Sequence, residues 1–158
     1  MKYLKNSGLS LLFLLFITAA FAQSKVPIPN SDQNKPSLFA SFPDRIAIDI
    51  NELKTVFSNV AAKGNNAAIK FADNKLPGFS GKIVSTTSKY NNSIQSVVIR
   101  STKFNGATLT LSSSTTTDGA ASYSGRIISF QHDDLYVLQK ENDKYYLIKK
   151  KYNELINE

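Results

Sequence analysis

Apolar and polar residues alternate along much of the second half of the chain. In the stretch 107–112, Ala, Leu and Leu alternate with Thr, Thr and Ser. This period of two is typical of a half-buried β-strand. Short segments that are often rich in β-branched and aromatic residues predict seven strands, at about 67–72, 79–89, 93–102, 106–115, 120–131, 134–140 and 144–151. Turn-forming pairs separate the strands, at Asn91-Asn92, Asn105-Gly106, Asp118-Gly119, Asp133-Asp134 and Asn142-Asp143.

Strands that recur this closely favour a mainly β fold. We expect an antiparallel meander of about seven strands, either closed as a barrel or folded as a sandwich. A different period precedes the strands, because apolar residues recur at helical spacing within about 50–62. Asp49 stands at the N-cap position, and Glu52 three residues later completes a capping box. The pattern predicts one N-terminal helix packed on the sheet.

One heptad occurs twice. Phe79–Ser85 and Tyr123–Ser129 agree at four positions and differ conservatively at three, with an aromatic residue two places before a glycine in each. If the similarity is a true duplication, each copy opens an equivalent strand and the aromatic ring packs beside the glycine. The similarity fades outside the heptad, so a chance recurrence in a β-protein stays open.

The N-terminal residues have the three parts of a secretory signal. Lys2 and Lys5 precede a short apolar run, and the stretch 20–22 is an A-x-A cleavage site. The run is shorter than the roughly 20 residues that span a bilayer, which predicts cleavage and no transmembrane anchor afterwards. We therefore expect a signal peptide at 1–22 and a secreted or periplasmic chain.

Four of the five prolines lie in the stretch 23–44. Because proline fixes φ and removes a donor, this stretch is predicted to be an extended linker or arm, with Leu38, Phe39 and Phe42 docking at its end. Residues 45–158 are then long enough for a single β-rich domain. The chain has no cysteine, so its stability must come from a packed core without disulfides.

The charge balance is moderately basic. The full chain has 19 Lys+Arg and 12 Asp+Glu, and removing Lys2 and Lys5 leaves 17 against 12, a net charge of +5. Such an excess favours encounters with anionic glycans, envelope surfaces or acidic partners.

Residues that carry catalysis or bind metals are scarce. His132 is the single histidine, and with Asp133 and Asp134 it offers too few ligands for a zinc site, so no metal and no cofactor are expected. The serines lack a nucleophile elbow, and the carboxylates fall in turns and helix caps rather than in an evident pair. The composition therefore favours a protein that is not an enzyme.

The one basic patch with interleaved aromatic residues lies near the C-terminus. Tyr145, Lys149 and Lys151 are the candidate contacts for a partner. Stacked bases and lysine-bound phosphates use such a combination in single-strand-binding proteins, but an exported chain rarely meets that ligand, so no nucleic-acid partner is expected. The alternative is a terminal strand whose tyrosines pack and whose lysines protect an edge.

Several segments carry a resemblance to a known family. The stretch from Gly78 to Lys150, with its segments F-S-G-K-I-V, S-V-V-I-R-S, N-G-A-T-L-T-L and Y-S-G-R-I-I-S, resembles the β-rich N-terminal propeptide of secreted reprolysin-type zinc metalloproteases. The resemblance implies a domain that masks or chaperones a protease. The chain departs from that family because it has neither a cysteine to bind the zinc nor an H-E-x-x-H motif, so no functional residue is transferred.

These observations lead to one main expectation about function. The chain is expected to be an exported, non-enzymatic β-domain that binds a protein or glycan partner at the cell envelope or outside the cell. Two alternatives remain: a propeptide-like regulator of a secreted protease, and a small hydrolase whose acids and serines converge only in three dimensions.

Overall fold

Eight antiparallel strands form a single sheet in the computed structural model, which describes residues 36–58, 63–132 and 134–151. The strands are β1 (Arg45–Ile48), β2 (Asn66–Ile69), β3 (Phe79–Lys89), β4 (Ile94–Ser101), β5 (Thr108–Thr115), β6 (Ala121–Ser129), β7 (Asp134–Glu141) and β8 (Lys144–Lys150). The sheet curls into a half-barrel. The prediction of a mainly β, antiparallel fold is confirmed, and β1 is the strand that the sequence pattern did not reveal.

The strand order is β1-β8-β7-β6-β5-β4-β3-β2. Strands β2 to β8 therefore form a meander, and β1 joins it by pairing with β8. The two edge strands, β1 and β2, have four residues each, fewer than any other strand. The chain just after β2 also reaches the opposite edge, because the amide of Ala72 donates to the carbonyl of Ala47 in β1 at 2.9 Å.

The hydrophobic core lies on the inner, concave face of the sheet. Alternate residues of nearly every strand point into it, as the period of two predicts. Its largest fully buried side chains are Tyr136, Tyr145, Phe39, Phe79, Leu53, Ile69, Ile99, Leu109, Leu111, Leu135, Leu147 and Val97, although Leu135 lies outside the main cluster.

The turns between strands follow the predicted chemistry. Asn91, Asn92, Asn142 and Asp143 all have positive φ, as do the glycines at 106 and 119. Asn and Gly tolerate positive φ with little strain, which is why they occur in the turns of the meander. Asp133 lies outside the described residues. Asp134 is the first residue of β7, where the predicted strand at 134–140 also begins.

One helix, α1 (Ile50–Ser58), packs on the sheet, and the remaining residues of the predicted helix, 59–62, lie outside the described part of the chain. Leu53 and Val56 are buried, and the Phe57 ring stacks on Tyr123 of β6 with centroids 5.8 Å apart. Over the described residues, no helix has both the length and the apolar character needed to cross a bilayer.

The start of α1 differs from the predicted capping box. The carboxylate of Asp49 accepts a hydrogen bond from the amide of Asn51 at 2.7 Å, as an N-cap should. Glu52 does not complete the box; its carboxylate accepts from the amide of Lys70 at 3.0 Å. Glu52 thus ties the helix to the segment that follows β2.

The two similar heptads occupy different parts of their strands. Phe79–Ser85 opens β3, whereas Tyr123–Ser129 closes β6, so the predicted equivalence of position is wrong. The glycines nevertheless share one constraint. A Cβ on Gly81 would overlap the carbonyl oxygen of Arg100, and one on Gly125 would overlap the carbonyl oxygen of Thr110. Each glycine allows a close approach of the neighbouring strand.

The end of the predicted linker packs into the core. Phe39 and Phe42 are buried, which confirms that they dock. Phe39 lies against Phe42, Phe104 and Tyr136, with ring centroids 5.2, 4.9 and 5.8 Å away. Residues 36–44 therefore contribute aromatic packing to the domain.

Polar side chains of β7 hold the same segment. Asp134 is 3% exposed and accepts hydrogen bonds from the amide of Leu38, at 2.7 Å, and from the hydroxyl of Ser37. The hydroxyl of Tyr136 donates to the carbonyl of Pro43 at 3.0 Å. These bonds fix the backbone of the segment at Leu38 and Pro43 to β7.

Titration of Tyr136 should weaken the domain at alkaline pH. Burial, with a smaller contribution from the nearby carboxylates of Asp44 and Asp134, raises the pKa of Tyr136 to about 12 from its ordinary value of 10.0. The folded state holds the phenol proton more tightly than the unfolded chain. The stabilisation is therefore complete below pH 10 and is lost as pH rises towards 12.

Tyr136→Phe isolates this effect from other titrations. At pH 7 we expect the variant to be less stable by about 1 kcal/mol, because the bond to Pro43 is lost. Between pH 10 and 12 this difference should shrink, because only the parent protein loses a phenol proton at position 136. Urea unfolding at several pH values measures the gap, and a constant gap would contradict the assignment.

Candidate functional site

The three residues proposed from the sequence do not form an exposed patch. Tyr145 is 1% exposed, and its hydroxyl accepts a hydrogen bond from the amide of Tyr123 at 3.2 Å. The expectation of an exposed aromatic group at position 145 is wrong, because strand pairing turns this side chain into the core. Lys151 is exposed and is the last described residue of the chain.

Lys149 contacts the segment that precedes β1. Its ammonium group lies 3.4 Å from the carbonyl of Phe39 and 6.0 Å from the centroid of the Tyr136 ring. The lysine thus helps to hold the docked segment that contains Phe39. A substitution at Lys149 would disturb that segment as well as any partner.

His132 also contacts the docked segment. Its Nδ1 lies 3.0 Å from the carbonyl oxygen of Pro36, so the tautomer with a proton on Nδ1 donates to it. In the ranges 36–58, 63–132 and 134–151, no three His, Cys, Asp or Glu side chains are grouped so that they could hold a metal ion.

A cleft of about 410 Å³ beside the start of α1 contains two carboxylates, those of Asp49 and Asp143. Both are engaged within the protein. Asp49 caps the helix, and Asp143 pairs with Lys140 at 2.8 Å. The hydrogen bond and charge of Lys140 hold the pKa of Asp143 below its usual range. A general acid of a glycosidase needs a raised pKa, so this pair does not resemble a hydrolytic site.

The outer face of strands β3 to β6 has a different character. Four hydroxyl-bearing residues lie side by side across it, since Thr87 pairs with Ser96, Ser96 with Ser112 and Ser112 with Ser124. The hydroxyl of Ser112 donates to that of Ser96 at 3.2 Å, and Ser96 donates to the carbonyl of Leu111. Neighbouring strands lie about 4.8 Å apart, so this row presents closely spaced hydroxyl groups.

Three cations share that outer face, which we call the basic face: Lys82, Arg100 and Arg126. Lys82 and Arg100 are directly opposite in β3 and β4, and both are exposed. Arg126 is opposite Thr110, whose neighbour on the same face, Thr108, is opposite Arg100. Like charges directly opposite each other destabilise a sheet, so the Lys82–Arg100 pair has no structural benefit of its own.

Nothing in the described part of the chain neutralises these cations. Elsewhere in the sheet Arg45 pairs with Glu141 at 2.8 Å, and Lys140 pairs with Asp143. The three cations of the basic face form no ion pair with any described residue. The face is therefore electrostatically suited to an anion from outside the chain.

A second cleft, of about 500 Å³, borders the basic face. We call it the β2–β4 cleft, and it is lined by Asn66, Ala67, Ala68, Ser80, Gly81 and Thr102. Lys82 pairs with Asn66, and Arg100 lies two residues before Thr102 along the chain. The cations therefore stand beside a cleft whose lining has neither a carboxylate nor an aromatic ring.

The sequence contains a signal for this site that our predictions did not use. Residues 74–117 include five cations and no Asp or Glu: Lys75, Lys82, Lys89, Arg100 and Lys103. A stretch of one charge sign that also alternates as strands indicates a charged sheet face. Which of these cations lie together depends on strand register.

No known protein family, curated protein or solved structure matches this chain. The resemblance to the reprolysin propeptide therefore stays a prediction. The candidate site rests on the geometry of the basic face and the β2–β4 cleft.

Proposed function

We propose that this chain is an exported, non-enzymatic β-domain that binds an acidic partner, a protein or a glycan, through the basic face. The observation that carries the proposal is the opposed pair Lys82–Arg100, which no described carboxylate neutralises. The residues at 1–22, with their signal-peptide pattern, support a secreted or periplasmic location.

The Lys82–Arg100 pair lowers the stability of the unbound protein. Two like charges in register oppose folding, and an anion that binds between them removes the repulsion. Arg100 adds a planar guanidinium that can bind a carboxylate through two parallel hydrogen bonds. Since the cations are exposed, their attraction for the partner should be strongly screened by salt.

Binding is favoured over catalysis because the carboxylates in the cleft beside α1 already have partners within the protein. Asp49 and Asp143, which share a cleft, are already used by the helix cap and by Lys140. The β2–β4 cleft offers hydroxyl and amide groups beside positive charge. Such groups bind and orient an anionic ligand without supplying a nucleophile and its base.

The first test uses the purified protein and immobilised polymers. We expect poly-L-glutamate or polygalacturonate to bind at low salt, and binding to be largely lost at about 0.5 M NaCl. Neutral dextran should bind weakly at all salt concentrations. Lys82→Ser with Arg100→Ser should weaken binding to the acidic polymers by roughly tenfold, as measured by biolayer interferometry.

A matched double variant distinguishes the effect of losing this site from the effect of losing net charge. Lys54 in α1 and Lys144 in β8 lie outside the basic face, and both are exposed. Lys54→Ser with Lys144→Ser removes the same charge and should change affinity by less than about twofold. Equal losses in the two double variants, or dextran binding as tight as that of the acidic polymers, would refute the proposed function.

A further inference from the structure

We infer that the acidic partner is a polysaccharide and that the β2–β4 cleft takes one of its acidic sugar units. This inference rests on the proposed function and specifies its ligand. The volume of about 500 Å³ lies within the usual range of small-ligand sites. Its lining residues are all small, so the space is open to a polar ring.

Positive charge stands at one side of the cleft. Lys82 is the strand partner of Asn66 in the lining, and Arg100 precedes Thr102 of the lining by two residues. Two cations beside one cleft suit a carboxylate or a sulfate. The guanidinium of Arg100 would bind the anion through two hydrogen bonds and the ammonium of Lys82 as a point charge.

Uncharged polar groups complete the site. The side chains of Asn66, Ser80 and Thr102 form no hydrogen bond with another described residue. Together they supply both donors and acceptors, which is what the hydroxyl groups of a sugar require. A glutamate side chain carries the acid but no hydroxyls, so an acidic peptide would meet these groups only through its backbone amides and carbonyls.

The basic face continues away from the cleft. From Arg100 it passes Thr108 and Thr110 of β5 and reaches Arg126 in β6. Strand spacing and rise place the backbones of Arg100 and Arg126 about 12 Å apart. An extended polymer with repeated acidic groups can meet both positions, whereas a single acidic sugar can meet one. We therefore expect the polymer to bind more tightly than the monomer.

The experiment compares polygalacturonate, which has carboxylates and hydroxyls, with poly-L-glutamate, which has carboxylates on a peptide backbone and no hydroxyls. We expect polygalacturonate to bind at least about fivefold more tightly at equal salt. Ala68→Leu fills the cleft without changing charge and should lower affinity for polygalacturonate about fivefold, while binding of poly-L-glutamate stays the same. Ala120→Leu, in the turn between β5 and β6, is the matched control and should alter neither.

Thr102→Val is a second cleft variant in case Ala68→Leu impairs folding, which circular dichroism would reveal. Its effect should again be confined to polygalacturonate. Equal binding of the two polymers, both insensitive to the cleft variants, would overturn the sugar assignment and leave the proposed function standing. Failure of both polymers to bind would refute the proposed function itself. Tighter binding of single-stranded DNA than of polygalacturonate would also overturn the sugar assignment.

Discussion

Replacing Gly81 by alanine should destabilise the domain by about 3 kcal/mol or more, because there is no space for a methyl group. The new Cβ would overlap the carbonyl oxygen of Arg100 and lie 2.6 Å from its carbonyl carbon. Both atoms belong to the backbone of β4, so relief requires moving a strand rather than a flexible side chain. Urea unfolding followed by circular dichroism measures the loss.

Gly119→Ala is the control for this prediction. Gly119 lies in the turn between β5 and β6 with φ of 83°, and a Cβ there meets nothing within 4 Å. Only the left-handed backbone is then unfavourable for alanine, which costs about 1 kcal/mol. A loss at Gly81 no larger than that at Gly119 would show that the strands can separate at little cost.

Phe39→Ala should remove about 3–5 kcal/mol of unfolding free energy, the range typical of a buried phenylalanine. Phe39 is 1% exposed and joins the rings of Phe42, Phe104 and Tyr136. Its loss leaves a cavity and also weakens the docking of residues 36–44. Thermal and urea unfolding should both show the change.

Tyr90→Ala provides a comparison for this aromatic substitution. Tyr90 is 74% exposed in the turn between β3 and β4, so its removal should change stability by no more than about 0.5 kcal/mol. If Phe39→Ala were equally mild, the segment before β1 would be peripheral to folding. The large difference that we expect would show that residues 36–44 belong to the stable domain.

The strands were predictable because two local signals coincide. Along β5, alternate residues are buried as the alternation of Thr and Leu predicts, and Gly106 and Gly119 lie in the turns on either side. Of the two four-residue strands, β2 was predicted and β1 was not. The pairing of β1 with β8 joins positions about a hundred residues apart, such as Arg45 and Ile148.

The predicted contact residues show where local pattern fails. In β8 the sequence K-Y-Y-L-I-K-K has apolar residues on both faces, so a period of two cannot decide whether Tyr145 or Tyr146 points inward. Pairing with β7 decides it and buries Tyr145. A partner surface chosen by composition alone therefore included a core residue.

The basic face depends on register in the same way. Lys82 and Arg100 meet because β3 pairs with β4, and a register shift between Ile83 and Ser85 changes which residues meet beyond it. The absence of acids from 74–117 was readable from the sequence, but which two of its cations face each other was not. The charge of a segment can be read from its own residues, whereas the pairing of two charges depends on how the strands align in the sheet.

The short edges of the sheet have a consequence for behaviour at high concentration. An unpaired strand edge can act as a template on which other chains add strands and propagate an aggregate. Here the longest strand, β3, lies inside the sheet, while β1 and β2 offer four residues each, and Ala47 in β1 already bonds to Ala72. The folded protein should accordingly resist fibril growth by strand addition.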